Sequence, residues 1–426
     1  MKRLLMTLAV VAALALASLL WLGLRSDPAV AVAAPAVESA EEQVARGAYL
    51  VRIGDCRACH TRPGGAEYAG AREIPTPFGS FHSPNITPDD ETGIGLWSAD
   101  DFWHALHDGK SKDGSLLYPA FPYTNYTKLT RADSDAMYAY LRSLPPVQAP
   151  RREHQLHFPY RHRLLLVGWR ALFFRPGVYQ PEPEQSEDWN RGAYLVQGLG
   201  HCSACHEARN ALGAVQSRDN PAGGLVLNWY APALGSPQEA GVQGWPQQEI
   251  ERLLRHGISE RGSTLGPMAE VVYESLQHLS DADVSAMALY LKSMPVSAPQ
   301  AAKGAMRVVD RDLPRSRESG AQLYARHCAS CHGDRGEGLP PAAPALAGNR
   351  AVTMDSAVNP IRVLLFGGYP PGTAGNPRPF GMPPFGNTLS NQEIADLLTY
   401  LRSSWGNDAR PIAAAEVARH RQGPLW

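Results

Sequence analysis

Cysteine is scarce in this chain, and none of it is spare. The 426 residues hold six cysteines, all of them in three copies of one motif: Cys56-Arg57-Ala58-Cys59-His60, Cys202-Ser203-Ala204-Cys205-His206 and Cys328-Ala329-Ser330-Cys331-His332. No thiol is left over for a disulfide. Charge is thin as well. Charged residues make up 19% of the chain, below the usual ~25%, and the net charge is −1, which argues against nucleic acid or a strongly charged partner surface. Also missing are a glycine-rich nucleotide loop, a catalytic-triad pattern and any metal-ligand cluster beyond the three motifs, so no substrate chemistry of the chain's own is legible. Turn formers are abundant: 36 prolines and 39 glycines exceed their ordinary share of about 12%, as expected where a chain wraps a cofactor.

The Cys-x-x-Cys-His spacing has one chemistry that uses every member. Two thiols about one helical turn apart add across the two vinyl groups of one haem, and the adjacent histidine reaches the iron from below. Zinc needs four ligands, usually as two Cys-x-x-Cys pairs close together, whereas these pairs are over a hundred residues apart. A thioredoxin-type dithiol needs a βαβ context that this sequence does not have. The motifs therefore predict three covalently bound haem c groups, attached through Cys56 and Cys59, Cys202 and Cys205, and Cys328 and Cys331, with His60, His206 and His332 as proximal iron ligands.

The distal ligands must come from elsewhere. Gly381-Met382-Pro383-Pro384-Phe385 and Gly266-Pro267-Met268 place a methionine beside proline in a loop between motif and closing helix. The stiffened loop suits a thioether held against iron, so Met382 and Met268 are the expected distal ligands, while Met287 and Met294 read as core. The first repeat breaks the pattern. Counted from its first cysteine, Phe121 in Tyr118-Pro119-Ala120-Phe121-Pro122-Tyr123 falls within one residue of the equivalent position (121 − 56 = 65 against 268 − 202 = 66), and phenylalanine cannot ligate iron. Either this haem is five-coordinate or another side chain supplies the sixth ligand, with His107, His82, His104 and Met137 as the candidates.

Each motif follows a short helical signature, Arg46-Gly47-Ala48-Tyr49-Leu50-Val51, Arg191-Gly192-Ala193-Tyr194-Leu195-Val196 and Ser319-Gly320-Ala321-Gln322-Leu323-Tyr324. Each unit closes on a second helix marked by Tyr138–Ser143, Ala288–Ser293 and Leu398–Ser403. Ser280-Asp281-Ala282-Asp283 and Ser390-Asn391-Gln392-Glu393 read as capping boxes or near relatives that start two of those helices. The fold class expected is all-α, with three tandem cytochrome c domains at 40–147, 185–297 and 315–410, each wrapped round one covalent haem. Linkers fall at 148–184 and 298–314, and a C-terminal tail at 411–426.

Residues 1–39 read as an export signal or membrane anchor followed by a linker. Lys2 and Arg3 precede an apolar run from Leu4 to Leu24, long enough to approach the ~20 residues that span a bilayer. That length favours a retained anchor, whereas Ala31-Val32-Ala33 offers a signal-peptidase site. In both cases the basic end stays in the cytoplasm, and the haem domains face the periplasmic side of a bacterial inner membrane. The apolar run Leu164–Phe174 in the first linker is too short to span. It is left with two readings, packing between domains or lying on the membrane surface as a basic amphipathic helix.

From Val44 to Asn407 the chain resembles the triheme cytochrome c subunits of membrane-bound alcohol, gluconate and fructose dehydrogenases. The resemblance is carried by Asn85-Ile86-Thr87-Pro88-Asp89, Trp189-Asn190-Arg191-Gly192-Ala193-Tyr194-Leu195-Val196, Gly266-Pro267-Met268-Ala269-Glu270-Val271-Val272 and Phe380-Gly381-Met382-Pro383-Pro384-Phe385. It implies an electron-transfer subunit with no catalytic site of its own, taking electrons from a periplasmic dehydrogenase of flavin, quinone or molybdenum type. The acceptor implied is ubiquinone or a terminal oxidase of the respiratory chain. Phe121 departs from that pattern and is more similar to the cytochromes that accompany molybdenum hydroxylases of the nicotinate, isoquinoline or aldehyde type. A haem enzyme such as a peroxidase acting at haem 1 is the competing class, and carbon monoxide binding to the ferrous protein separates it from a pure carrier.

Overall fold

A computed structural model describes residues 2–26, 38–216, 223–297, 308, 312–340 and 342–421. Ala31-Val32-Ala33 and most of the 298–314 link lie outside the described residues. The chain divides into two compact units, 1–204 with 209–215, and 205–208 with 216–426.

The first unit opens with α1 (Lys2–Leu24), whose length and mean hydropathy of 2.4 are those of a helix able to cross a membrane. Helix α2 (Ala40–Ile53) starts on Ser39, which forms a capping box with Glu42, and α3 (Cys56–His60) carries the first motif. A hairpin of β1 (Glu73–Thr76) and β2 (Gly79–His82) follows, with Glu73 opposite His82. Helix α4 (Ala99–Asp108) is started by a Ser98–Asp101 capping box. After the single turn α5 (Tyr123–Tyr126), α6 (Arg131–Ser143) is capped by Thr130 and crosses α2.

Residues 148–184, expected as a linker with one apolar run, are folded into this unit. β3 (Gln155–Leu156) adds a third strand to the hairpin, and α7 (Leu165–Phe173) packs on α1. The apolar run packs on α1, and it also reaches segments that follow two motifs: Trp169 meets the Tyr123 ring and donates to the Leu212 carbonyl at 2.9 Å, while Leu164, Leu165 and Leu172 remain exposed. Helix α8 (Glu187–Tyr194) and a π-helical turn at Leu195–Leu199 lead to the second motif.

The second motif continues as α9 (Ser203–His206), through which the division between units runs. The second unit holds a hairpin of β4 (Gly224–Val226) and β5 (Trp229–Ala231), then α10 (Gln247–His256). A small hairpin of β6 (Ile258–Ser259) and β7 (Gly262–Ser263), α11 (Pro267–Glu274) and α12 (Asp281–Ser293) complete that segment. Helices α13 (Leu313–His327) and α14 (Ala329–His332) carry the third motif; α15 (Arg350–Thr353), α16 (Val358–Phe366) and α17 (Asn391–Leu401) follow.

Both capping expectations correspond to real helix starts: Ser280 accepts the Asp283 N–H, and Ser390 forms a full box with Glu393. The last residues depart from a plain tail. α18 (Ala414–Arg421) packs on α17 and α16, with Val417 and Ile412 in the core that α13, α16 and α17 share, and Arg421 donates to Asn391 and the Leu389 carbonyl. Helices dominate, as the fold class requires, but three small antiparallel sheets accompany them. The proline- and glycine-rich loops pair with themselves where they frame the motifs.

The signature glycines mark where helices touch. A Cβ at Gly47 would lie 1.9 Å from the Ala136 carbonyl oxygen, and one at Gly320 would lie 2.3 Å from that of Asp396. Gly320→Val should therefore separate α13 from α17 and cost about 1–3 kcal/mol of stability, the usual range for overpacking, measured as a lowered denaturation midpoint with the haem still attached.

Candidate haem-binding sites

The three motif histidines share one geometry. His60 donates its Nδ1 proton to the Pro84 carbonyl at 2.8 Å, His206 to Pro232 at 2.7 Å and His332 to Pro344 at 2.9 Å. A carbonyl oxygen can only accept, so each ring is fixed as the tautomer whose Nε2 lone pair is free for iron. Desolvation holds His60 and His206 below the ordinary histidine range, which keeps the imidazole neutral, as a metal ligand must be.

The acceptor loop of the first domain is held by its own network. Asn85, 4% exposed, donates to Thr92 at 3.0 Å and to the Val147 carbonyl at 2.7 Å, and accepts the Thr87 N–H and hydroxyl. The Asn85–Asp89 motif therefore braces the residue next to Pro84.

These residues fit covalent haem. Burial pushes the Cys56 thiol up to about 12 and that of Cys328 up to about 11, as expected of thiols set in an apolar surround. Among the described residues no group of three or more His, Cys, Asp or Glu is placed to hold a metal ion. The Trp229 indole N–H is buried and has no hydrogen-bond partner among the described residues, an orphan donor that an anionic edge of a cofactor would satisfy.

The distal positions can be matched through shared backbone anchors. Gly109 ends α4 and Gly257 ends α10, both in the left-handed conformation. Leu117 N–H donates to the Gly109 carbonyl at 2.8 Å, and Thr264 N–H to that of Gly257 at 2.7 Å. Phe121 stands four residues beyond Leu117 and Met268 four beyond Thr264, so hydrogen bonding pairs the two positions, which the count from the cysteines matches to within one residue. Met268 lies in the first turn of α11, behind Gly266 and Pro267. Met382 is fixed by a reciprocal pair with Gly368, at 2.8 and 3.1 Å.

The four candidate sixth ligands of the first haem are scattered. Met137 sits on α6 at the helical position that Met287 holds on α12; both are 1% exposed and belong to the core. His104 is half-exposed and pairs with the buried Asp108 at 2.6 Å. His82 is buried on β2, two residues before Pro84, with its Nδ1 lacking a hydrogen-bond partner among the described residues. His107, 2% exposed, stacks on Trp103 with centroids 4.4 Å apart and lies 3.4 Å from the Thr127 hydroxyl. None of the four is on the Phe121 segment.

Several residues escaped sequence reasoning. His201 precedes Cys202 directly; its ring meets Tyr126 edge-on at 5.5 Å, and Tyr126 donates to the Gly54 carbonyl at 2.9 Å, just before the first motif. Asn125 donates to the Gln197 carbonyl and the Ser203 hydroxyl, each at 2.8 Å. Within the first unit, the segment after Phe121 thus joins the approaches to two motifs. Arg170 on α7, 1% exposed, donates to the Gly23 carbonyl at 2.7 Å and to that of Asp108, and its guanidinium lies over Phe174. Lys110 donates to the Leu24 carbonyl at 2.6 Å. A single arginine in an apolar run gave no sign of this from sequence.

Helix, Cys-x-x-Cys-His, proximal proline carbonyl, distal loop and crossing helix together define a c-type cytochrome. The cytochrome c family model matches residues 44–145 and 318–405. Over 406 residues the chain is 38% identical to the cytochrome c subunit of alcohol dehydrogenase (quinone) from Gluconobacter oxydans, covering 91% of this chain and 84% of that one. It is 37% identical to the gluconate 2-dehydrogenase cytochrome c subunit of Pantoea cypripedii, covering 89% of each. It is also 42% identical to a nicotinate dehydrogenase subunit of Pseudomonas putida over 89% of its own length, and spans about a third (32%) of that longer protein. The chain belongs to the cytochrome c subunits of dehydrogenases, and covalently bound haem c comes with that family.

Proposed function

We propose that the chain carries three covalent haems and moves electrons from a dehydrogenase subunit at the periplasmic face of the inner membrane to ubiquinone or a terminal oxidase. The observation that carries this is the proximal geometry, repeated three times: a motif histidine whose Nδ1 is committed to a proline carbonyl, which leaves its Nε2 to a prospective iron. When bound, haem supplies reversible one-electron chemistry. The protein's part is to attach the porphyrin through the six cysteines, orient His60, His206 and His332, present Met268 and Met382 as thioethers, and exclude water. Phe121 withholds a sulfur from the first haem. Met137 belongs to the core and His104 to its Asp108 pair, which leaves a five-coordinate iron or a nitrogen from His107 or His82.

Retention of α1 as an anchor is supported by Arg170 and Lys110, which bind the carbonyls that end it and build that end into the first unit. Lys2 and Arg3 in the first turn of α1 then place the haem domains outside the cytoplasm.

A second reading of the donor has an observation of its own, the 42% identity to part of a nicotinate dehydrogenase subunit. In that reading the partner is a hydroxylating dehydrogenase of the molybdenum type. One experiment tests both. The chain purified alone should stay ferric with ethanol, gluconate, fructose or nicotinate, and should become ferrous only when its dehydrogenase partner is present with that partner's substrate. Reduction by any of these substrates in the isolated chain would make it an enzyme and overturn the carrier reading.

A further inference from the structure

Two of the three motifs are entered in the same way. The residue before the first cysteine is left-handed in both, Asp55 at φ 55° and His201 at φ 39°, whereas His327, before the third motif, closes helix α13. A non-glycine residue in that region is strained and keeps it only where its surroundings fix it. For His201 the segment 125–133 supplies them. The π-helical turn Leu195–Leu199, of a kind frequent at functional sites, leads into it, and the Gln197 carbonyl in that turn accepts from the Asn125 amide at 2.8 Å. The same amide donates to the Ser203 hydroxyl at 2.8 Å, and Lys128 donates to the Gln197 side chain at 2.7 Å. Further back, the Tyr194 hydroxyl donates to Asp133 at 2.6 Å and accepts the Thr130 N–H at 3.2 Å.

The space between the two motifs is filled. Tyr126, 4% exposed, donates to the Gly54 carbonyl at 2.9 Å and meets the His201 ring edge-on, with centroids 5.5 Å apart. Leu199 packs here as well: a Cβ on Gly54 would lie 3.0 Å from its Cδ1 and 3.5 Å from the Cys56 sulfur. A Cβ on Gly200 would lie 3.7 Å from the Cys202 sulfur. Cys56, Gly54, Leu199, Gly200 and Cys202 thus form one packed line, with Tyr126 and His201 beside it. Burial holds the His201 ring below the ordinary histidine range, so it stands there as a neutral group.

We propose that Tyr126 and His201 are positioning residues for electron transfer between the first two haems: they fix the anchor at Cys56 relative to the anchor at Cys202 and fill the space between them. This rests on the reading that both motifs carry a haem. Only an electron crosses. One iron is oxidised as the other is reduced, and the Tyr126 proton stays on its bond to Gly54. Transfer between fixed groups falls steeply with misplacement, so side chains that ligate neither iron can govern its rate.

The test is laser-flash reduction of the full chain by less than one electron per molecule, followed as that electron redistributes among the haems. The second haem's phase is the one that Met268→Ala displaces, and the third's the one that Met382→Ala displaces. His201→Asn, which tolerates the left-handed backbone, and Tyr126→Leu should each slow exchange between the first two haems several-fold, with all midpoint potentials in place. Tyr126→Phe, which keeps the ring and loses the bond to Gly54, should slow it less. A role confined to packing would lower the thermal midpoint and leave the exchange rate unmoved. Should Tyr126→Leu fail to fold, His201→Asn and Tyr126→Phe decide. Exchange at the unaltered rate in variants that keep all their haem, a slowing confined to the third haem, or a slowing accounted for by a shifted midpoint would overturn the proposal. A haem missing from Cys56–His60 or Cys202–His206 in the unaltered chain would instead remove the reading beneath it.

Discussion

Phe121→Met is expected to raise the midpoint potential of the first haem and to abolish any high-spin or bis-histidine signal in the parent protein. Phe121 is matched to Met268 by the hydrogen bonds to Gly109 and Gly257, and the count from the first cysteine agrees to within one residue, 121 − 56 = 65 against 268 − 202 = 66. Its ring packs on Tyr126 at 5.3 Å, and Tyr126 leads to Gly54 and His201. An aromatic side chain at this position therefore stiffens the path between motifs while offering iron no lone pair. Axial ligation commands a range of about 0.8 V, so a new thioether should shift this haem by on the order of a tenth of a volt. In the unaltered chain the first haem should be the last to become reduced, because a nitrogen ligand or an open site lacks the soft sulfur's preference for ferrous iron. Three spectroscopically equivalent methionine-ligated haems in the parent would contradict this, and Met137 would then need examination first.

Met268→Ala and Met382→Ala are expected to act in the opposite direction. Each should lower the potential of its own haem by on the order of a tenth of a volt or more within that axial-ligand range, while both thioether links of that haem stay intact. The distal sulfur tunes the iron, whereas the cysteines tether the porphyrin. The Met382 variant should act locally, because the pair with Gly368 is made by backbone groups that alanine retains. Unchanged titrations in both variants would remove these methionines as ligands.

Much of the organisation was legible because it depends on local rules. Motif spacing, the Ser390–Glu393 box and the glycines of the helical signatures are short-range signals, and the structure gives each a physical role: an attachment turn, a capped helix start and a close helix crossing. What stayed hidden depends on residues distant in sequence. The proline carbonyls that orient the histidines lie 12 to 26 positions away. Nothing local marks Pro84, Pro232 or Pro344 among 36 prolines. The partner of the apolar run in the first linker stayed hidden because Arg170 meets Gly23 across 147 positions, and α18 resembled a tail because its anchors, Val417 and Arg421, sit among polar neighbours.

The central claim is that every Cys-x-x-Cys-His motif holds a haem. It is tested most directly by haem absorbance of the denatured chain per mole of polypeptide, with peptide mass mapping to assign each attachment. Three haems are expected, one each on Cys56/Cys59, Cys202/Cys205 and Cys328/Cys331. A value of one or two, with an unmodified motif in the peptide map, would contradict it.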